Sequence, residues 1–430
     1  MHYLCTMRKL LFVLMSLVSI QTVHAQDYCS MERFDQFIFD SLDIETIRNV
    51  EYGEAINQLG NMENLYLDLY FPSPTIDPLA KKPCIFFVHG GGLLGGSKES
   101  DGALQMGYLY ARMGYVFVSI DYRTGWDSGD EETGCGGDTL DLTRATYRAL
   151  QDVKAAYRFI KDRATFYGID TNYIFAEGNS AGSRQLIYAA YATQDDFDPA
   201  YYDELGSIDT AVNDITNFTF NPKGIITEAL GIEDSTLMLR KDIPHFMFHG
   251  TCDSIVPFFE GPTFYCFQPF VYPYLRGSYL LAGMLEAQGR TYQFYMGEGA
   301  GHDTAYPDTL VAYGGAFMKS IMCNNLQTER IYRVLGKFKC AVANEGELVI
   351  TELYPNPVED IIYLEMTSTR IRAIDLQVYN IIGQTLIDEE LDFFPPVANY
   401  TVDVSGLPRG IYFMRVSQRQ EEYVLKFFKL

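Results

Sequence analysis

Positive charge is scarce in this 430-residue chain. Thirty-three lysines and arginines stand against 56 aspartates and glutamates, a formal net charge of −23 at pH 7. An acidic surface repels phosphate backbones and anionic lipid headgroups, which excludes nucleic-acid binding and peripheral membrane binding as main roles. Long apolar runs are missing too, and none reaches the 18 residues that a spanning helix needs. Eight cysteines include no Cys-x-x-Cys pair, which argues against a zinc ribbon or a thioredoxin-like site. No repeat period is visible, and 36 glycines and 17 prolines do not make a collagen or a low-complexity chain. Tryptophan occurs once, as Trp126, and histidine only six times. What is present is apolar matter: 47% hydrophobic residues, enough for one or two packed cores.

The first 25 residues read as a targeting segment. Arg8 and Lys9 precede an apolar run, Leu10 to Ile20, that is too short to cross a bilayer. The run gives way to Val23-His24-Ala25 before Gln26, the pattern of a secretory signal peptide cut after Ala25. Export implies an oxidising compartment. Loss of Cys5 leaves seven cysteines, so at least one stays unpaired within the chain. Cys252 and Cys266 are close in sequence, as are Cys323 and Cys340, but spacing leaves the pairing open.

Between residues 60 and 330, short β-rich apolar runs alternate with helical stretches. Leu65–Tyr70, Cys84–Val88, Tyr115–Ile120, Tyr173–Ala176, Gly224–Thr227, His245–Phe248 and Tyr292–Tyr295 read as strands. In 143–164 the residues Ala145, Ala149, Val153, Ala156 and Ile160 recur at helical spacing. Such alternation predicts an α/β fold, a mostly parallel sheet covered by helices on both faces. Residues 326–346 are polar and mixed and read as a linker after a domain spanning 26–325. From 347 to 430, short strands separated by Pro and Gly predict a small all-β sandwich.

Two motifs carry chemistry. His89-Gly90-Gly91-Gly92 follows one predicted strand, and Gly178-Asn179-Ser180-Ala181-Gly182 follows another and opens a helix. A Gly-x-Ser-x-Gly alone arises by chance in roughly one such chain in five, but the His-Gly-Gly-Gly run in only about 0.3%. A nucleophilic serine needs a tight strand-to-helix turn that only glycines can flank. The oxyanion formed on attack needs uncrowded backbone N–H donors, which a triple-glycine turn can supply. A general base must come from the four histidines beyond the signal segment. His89 belongs to the glycine turn. His245 and His249 bracket a strand, where their spacing does not make a helical zinc motif. His302 lies in the loop Gly297-Glu298-Gly299-Ala300-Gly301-His302 after a strand and is the expected base. Asp253, in His249-Gly250-Thr251-Cys252-Asp253 off the preceding strand, is the expected acid, with Glu260 and Asp303 as rivals. The order Ser180, Asp253, His302 is that of an α/β-hydrolase. No metal or cofactor is called for. Activity should rise with pH as an imidazole base loses its proton, ordinarily near about 6.5.

Residues 60–325 resemble the carboxylesterase and hormone-sensitive-lipase type of α/β-hydrolase. The likeness rests on His89-Gly90-Gly91-Gly92-Leu93-Leu94-Gly95-Gly96-Ser97, Asp121-Tyr122-Arg123 and Tyr167-Gly168-Ile169-Asp170. It implies that the N–H groups of Gly91, Gly92 and Ala181 form the oxyanion hole. Three departures stand out: Asn179 where the family often has an acid, Ser183-Arg184 in place of small residues, and a long stretch between acid and base. That stretch holds an aromatic insertion, 258–279, expected to wall an acyl or aryl group. A Cys252–Cys266 bridge would brace it. A second insertion, 125–139, reads as a solvated acidic loop rather than a calcium site, since its spacing fits no EF-hand.

The last 80 or so residues resemble a type A sorting domain of the type IX secretion system. The matching motifs are Leu353-Tyr354-Pro355-Asn356-Pro357, Val378-Tyr379-Asn380-Ile381-Ile382-Gly383, Leu407-Pro408-Arg409-Gly410-Ile411-Tyr412-Phe413 and the terminal Lys426-Phe427-Phe428-Lys429-Leu430. The likeness implies a secreted or cell-surface protein that meets the secretion machinery through this domain. The expectation is therefore a secreted carboxylic ester hydrolase acting through an acyl-enzyme, on esters such as acetyl or feruloyl groups of polysaccharides. A serine peptidase and a non-catalytic binding protein on a hydrolase scaffold are the alternatives.

Overall fold

A computed structural model describes residues 27–129, 136–265, 272–302, 307–334, 349–367, 372–393, 397–418 and 421–430. The expected signal peptide lies outside these residues. The chain opens with an antiparallel pair, Ile44–Ile56 (β1) and Met62–Pro72 (β2). Strands and helices then alternate: Lys82–Val88 (β3), Asp101–Met113 (α1), Val116–Ile120 (β4), Thr139–Asp162 (α2), Ile169–Asn179 (β5), Ala181–Tyr191 (α3) and Pro199–Leu205 (α4). Next come Ile225–Glu228 (β6), Gly231–Ile232 (β7), His245–Gly250 (β8), Glu260–Pro262 (β9), Tyr274–Gly277 (β10), Ser278–Ala287 (α5), Tyr292–Glu298 (β11), Pro307–Met322 (α6) and Glu329–Val334 (β12).

Nine strands build the main sheet in the order β1-β2-β4-β3-β5-β6-β8-β11-β12. From β4 to β12 every pairing is parallel. β3 is buried at every position, as a central parallel strand must be. Its side chains alternate between two cores. Cys84, Phe86 and Val88 join residues of α2 and α3 on one face, whereas Ile85 and Phe87 join those of α1 and α6 on the other. The strand order reverses between β3 and β5, since β4 lies outward on one side and β6 on the other. Ligands of open α/β sheets bind at such a switch point, outside the carboxyl ends of the strands. Both glycine motifs sit there. This is the α/β-hydrolase arrangement.

All seven predicted strands are present, as is the helix expected over 143–164. Two strands of the main sheet were not legible, nor were the short β7, β9 and β10, which form a separate sheet of three. β1 is a polar, mostly half-exposed antiparallel strand, and β12 lies in the stretch read as linker. Residues 329–334 pair with β11 and extend the sheet instead. A disulfide joins Cys29 to Cys323 across 294 residues, and Cys84 is free and buried. Cys252 is also disulfide-bonded, whereas Cys266 lies outside the described residues.

The C-terminal strands are Val349–Tyr354 (β13), Ile361–Thr367 (β14), Arg372–Asn380 (β15), Thr385–Phe393 (β16), Val397–Asp403 (β17), Gly410–Gln418 (β18) and Glu421–Lys429 (β19). They form one sheet of three and one of four around a core that includes Ile362, Leu364, Val378, Met414 and Phe427. This is the expected small β sandwich. Among the described residues no helix is long and apolar enough to cross a membrane.

Candidate active site

β5 ends in the turn that carries Ser180. The serine backbone has φ 52° and ψ −118°, a conformation that a residue with a side chain adopts only under constraint. The constraint is visible. A Cβ on Gly182 would lie 2.1 Å from the Val88 carbonyl oxygen, and one on Gly178 would lie 2.8 Å from the Gly182 backbone. The first turn of α3 therefore packs directly on the ends of β3 and β5. Ser180 N–H donates to the Glu228 carbonyl at 2.8 Å, which ties the turn to β6. Asn179, the departure from the family pattern, donates from Nδ2 to the Glu228 carboxylate at 2.6 Å. The neighbouring strand thus supplies an acid beside the position where the family often has one. Ser183 also belongs to this joint: its hydroxyl oxygen accepts the Glu228 N–H at 3.1 Å and lies 2.6 Å from the Gly178 carbonyl.

Three side chains far apart in sequence meet at this turn. Ser180 Oγ lies 2.9 Å from His302 Nε2, and His302 Nδ1 lies 2.8 Å from Asp253 Oδ2. Asp253 is buried, and its Oδ1 accepts the backbone N–H groups of Ile255 and Val256 at 2.8 and 2.9 Å. A second histidine was missed by the sequence reading. His249 Nε2 lies 3.2 Å from Asp253 Oδ2 and 3.2 Å from the Val256 carbonyl. Both neighbours are acceptors, so this nitrogen carries the hydrogen. Burial pushes the Asp253 carboxyl up, but hydrogen bonds from His249 and His302 outweigh it and hold the group well below the usual carboxylate range. Of the rivals, Glu260 is exposed on β9, and Asp303 lies outside the described residues.

The glycine turn after β3 faces the same spot. Gly91, Gly92 and Leu93 have φ of 108°, 62° and 61° in succession. A Cβ on Gly91 would lie 2.3 Å from the Gly95 carbonyl oxygen. Among the described residues no hydrogen bond takes up the N–H groups of Gly91 or Gly92. Ala181 begins α3, so its N–H has no partner within the helix either. The turn is fixed from below by Asp121-Tyr122-Arg123. Asp121 accepts the Lys98 N–H at 2.8 Å, the Tyr122 hydroxyl donates to the His89 carbonyl at 2.9 Å, and Arg123 pairs with the buried Asp152 of α2 at 2.7 Å. His89 stacks on Tyr122 with 4.2 Å between ring centres, and burial pushes its pKa down to about 4. It supports the turn from inside. His245 is buried against the Tyr191 hydroxyl at 2.6 Å. Among the described residues no cluster of His, Cys, Asp or Glu is arranged to hold a metal.

The two insertions meet over the glycine turn. Trp126 Nε1 donates to the Gly92 carbonyl at 2.9 Å, and its ring lies parallel to that of Phe264 at 6.4 Å. Tyr272 sits edge-on to both rings, and its hydroxyl accepts the Gly137 N–H at 2.9 Å. The cavity beside Ser180 measures about 40 Å³. A larger cleft of about 610 Å³ runs along β1 and residues 204–214, with no Ser, Cys or His among its described lining residues.

Residues 45–194 match the carboxylesterase family, and residues 352–429 match a secretion-system C-terminal sorting domain. The chain is thus similar to carboxylesterases in its first half and to sorting domains at its C-terminal end. That sorting domain, of the type IX system, marks the protein for export, into the medium or onto the cell surface. Lipase 1 of Geotrichum candidum is 31% identical over 136 residues, which is 31% of this chain and 23% of that one. Carboxylesterase 3B of Mus musculus is 34% identical over 144 residues, 33% of this chain and 23% of the mouse protein. The chain thus spans about a quarter of the length of the curated relatives it matches. Among solved structures, a truncated carbohydrate esterase from gut microbiota aligns over 67% of this chain and 100% of its own, at 15% identity and a TM-score of 0.47.

Proposed function

We propose that the protein is a secreted serine hydrolase that cleaves carboxylic esters through an acyl-enzyme. The observation that carries this reading is the hydrogen-bonded series Ser180–His302–Asp253 beside the N–H groups of Gly91 and Gly92, which have no hydrogen-bond partner among the described residues. Ser180 Oγ attacks the ester carbonyl while His302 Nε2 takes its proton. The carbonyl oxygen becomes an oxyanion held by the N–H groups of Gly91, Gly92 and Ala181. Collapse of this intermediate expels the alcohol, which takes the proton from His302. Water then repeats the sequence on the acyl-enzyme and releases the carboxylic acid. Asp253 fixes the tautomer of His302 and stabilises its cation. No step calls for a cofactor.

An exported esterase meets esters outside the cell, and acyl groups on polysaccharides are the class that suits that location. The C-terminal sandwich engages the type IX secretion machinery, so deletion of residues 346–430 should leave the protein in the periplasm.

The decisive experiment is hydrolysis of p-nitrophenyl acetate by the purified full chain and by Ser180→Ala. The wild type should turn over with an acyl-enzyme burst, and the variant should lose about four to six orders of magnitude in kcat with its melting temperature retained. Turnover that survives the substitution would remove Ser180 from the mechanism. Amide cleavage exceeding ester cleavage would favour a peptidase, and no turnover at all a binding protein.

A further inference from the structure

We infer that this site is built for acetyl esters and that Phe264 is the residue that sets the limit on acyl size. The inference rests on the esterase reading above and narrows it. The cavity beside Ser180 measures about 40 Å³. Pockets for drug-sized ligands run to about 300–1,000 Å³. The space is small beside these and suits a short acyl group. An acetyl group has three heavy atoms: the methyl carbon, the carbonyl carbon and its oxygen. A butyryl chain adds two more carbons, and a feruloyl group adds an aromatic ring.

The limit is imposed by rigid neighbours. Phe264 lines the cavity with its ring about 3.4 Å from where a Cβ on Gly92 would stand. Its backbone has φ 58°, an unfavourable conformation for an aromatic residue that persists only where surrounding contacts enforce it. Those contacts are present. The Phe264 N–H donates to the Ile255 carbonyl at 3.0 Å, and the ring is backed by Trp126 and Tyr272. Trp126 is itself fixed to the Gly92 carbonyl, so the wall and the glycine turn are one unit. Gly231, Val256 and Leu275 also line the cavity, and they pack closely: a Cβ on Gly231 would lie 2.8 Å from Val256 and 3.1 Å from Leu275. Among the described residues, Phe264 of the aromatic insertion thus stands as the stop for the acyl chain.

The test is a p-nitrophenyl series of acetate, butyrate and octanoate, plus methyl ferulate, measured as kcat/KM on the full chain and on Phe264→Ala. The wild type should prefer acetate to butyrate by at least tenfold and leave octanoate and ferulate near background. Phe264→Ala should shrink the acetate-to-butyrate ratio at least fivefold, chiefly through faster butyrate hydrolysis. Val256→Ala, on the other wall, gives a second reading of the ratio should the first variant not fold. A wild-type preference for butyrate, octanoate or ferulate overturns the inference, as does an unchanged ratio in the folded variants. Those outcomes leave the esterase reading intact. Failure to hydrolyse any ester, or turnover retained by Ser180→Ala, sinks the esterase reading itself.

Discussion

The two halves of the proposed active site are held by different means. On the nucleophile side, backbone packs against backbone: Gly182 touches the end of β3, and the Ser180 N–H is anchored on β6. On the acid–base side, side chains hold side chains. Asp253 is fixed by His249 and by two N–H groups of its own turn, and His302 is fixed by Asp253. Backbone packing announces itself in sequence as obligatory glycine. Side-chain support carries no such mark: His249 lies only four residues before Asp253, but nothing in the residue types says that the two touch.

The contrast is sharpest where a change of chemistry can be separated from a change of position. Asp253→Asn keeps the shape of the acid side but exchanges a carboxylate for an amide that favours the wrong imidazole tautomer. It should lower kcat for acetate about 10⁴-fold with little change in KM. A loss below tenfold would mean that His249 or another group orients His302 without the charge. On the opposite side, Gly182→Ala places a methyl group about 2.1 Å from the Val88 carbonyl, so the first turn of α3 must move. A shift of 1 Å at a nucleophile costs about a hundredfold. That variant should lose about 10² to 10³ in kcat/KM and melt several degrees lower. Unchanged kinetics would show that the turn has slack.

Legibility in sequence followed the same division. The elbow, the glycine turn and seven strands were readable because glycines, apolar runs and their order are local features. Asp253 and His302 were singled out by elimination, since so few histidines remain and Asp253 lies just off a strand, and the structure brings both to Ser180. His249 was passed over because its partner is defined by a turn at Val256 and a contact with Ser278 of α5, 29 residues on. The Asn179–Glu228 contact spans 49 residues, and the Cys29–Cys323 bridge spans 294. The aromatic insertion was visible as composition, but its union with Trp126 needed coordinates. β1 hid because its exposed face breaks any apolar run, and β12 because its sequence reads as linker.

His249 offers a gentler probe of the side-chain half. His249→Gln removes the imidazole N–H beside the Asp253 carboxylate and leaves Ser180, His302 and the glycine turn in place. Relieved of that donor, the carboxylate interacts more strongly with the His302 cation. The acid limb of the kcat/KM profile should move to higher pH, and kcat should fall about tenfold near neutrality. A lower melting temperature with an unmoved acid limb would reduce His249 to a packing residue.

The smallest effect lies on the nucleophile side, where the strand bearing Ser180 carries a carboxyl that takes no part in the chemistry. Glu177 is buried beside Tyr110, and burial pushes its pKa from 4.5 up to about 8. Between those values the unfolded chain releases a proton that the folded chain keeps, so stability falls as pH rises from about 4.5 to 8. His89 and His245 act oppositely. Burial pushes them down from 6.5 to about 4 and about 3, so the unfolded chain takes up protons that the native state refuses as pH falls below about 6.5. The two histidines and Glu177 thus pull stability in opposite directions as pH rises. Glu177→Gln removes only the alkaline limb. At pH 8 it should melt about 5 °C higher than the wild type, and at pH 4 the two should coincide. Its acetate kcat/KM at pH 6.5 should stay within about twofold of the wild type, because the backbone joint at Gly178 and Gly182 positions Ser180 without help from that side chain.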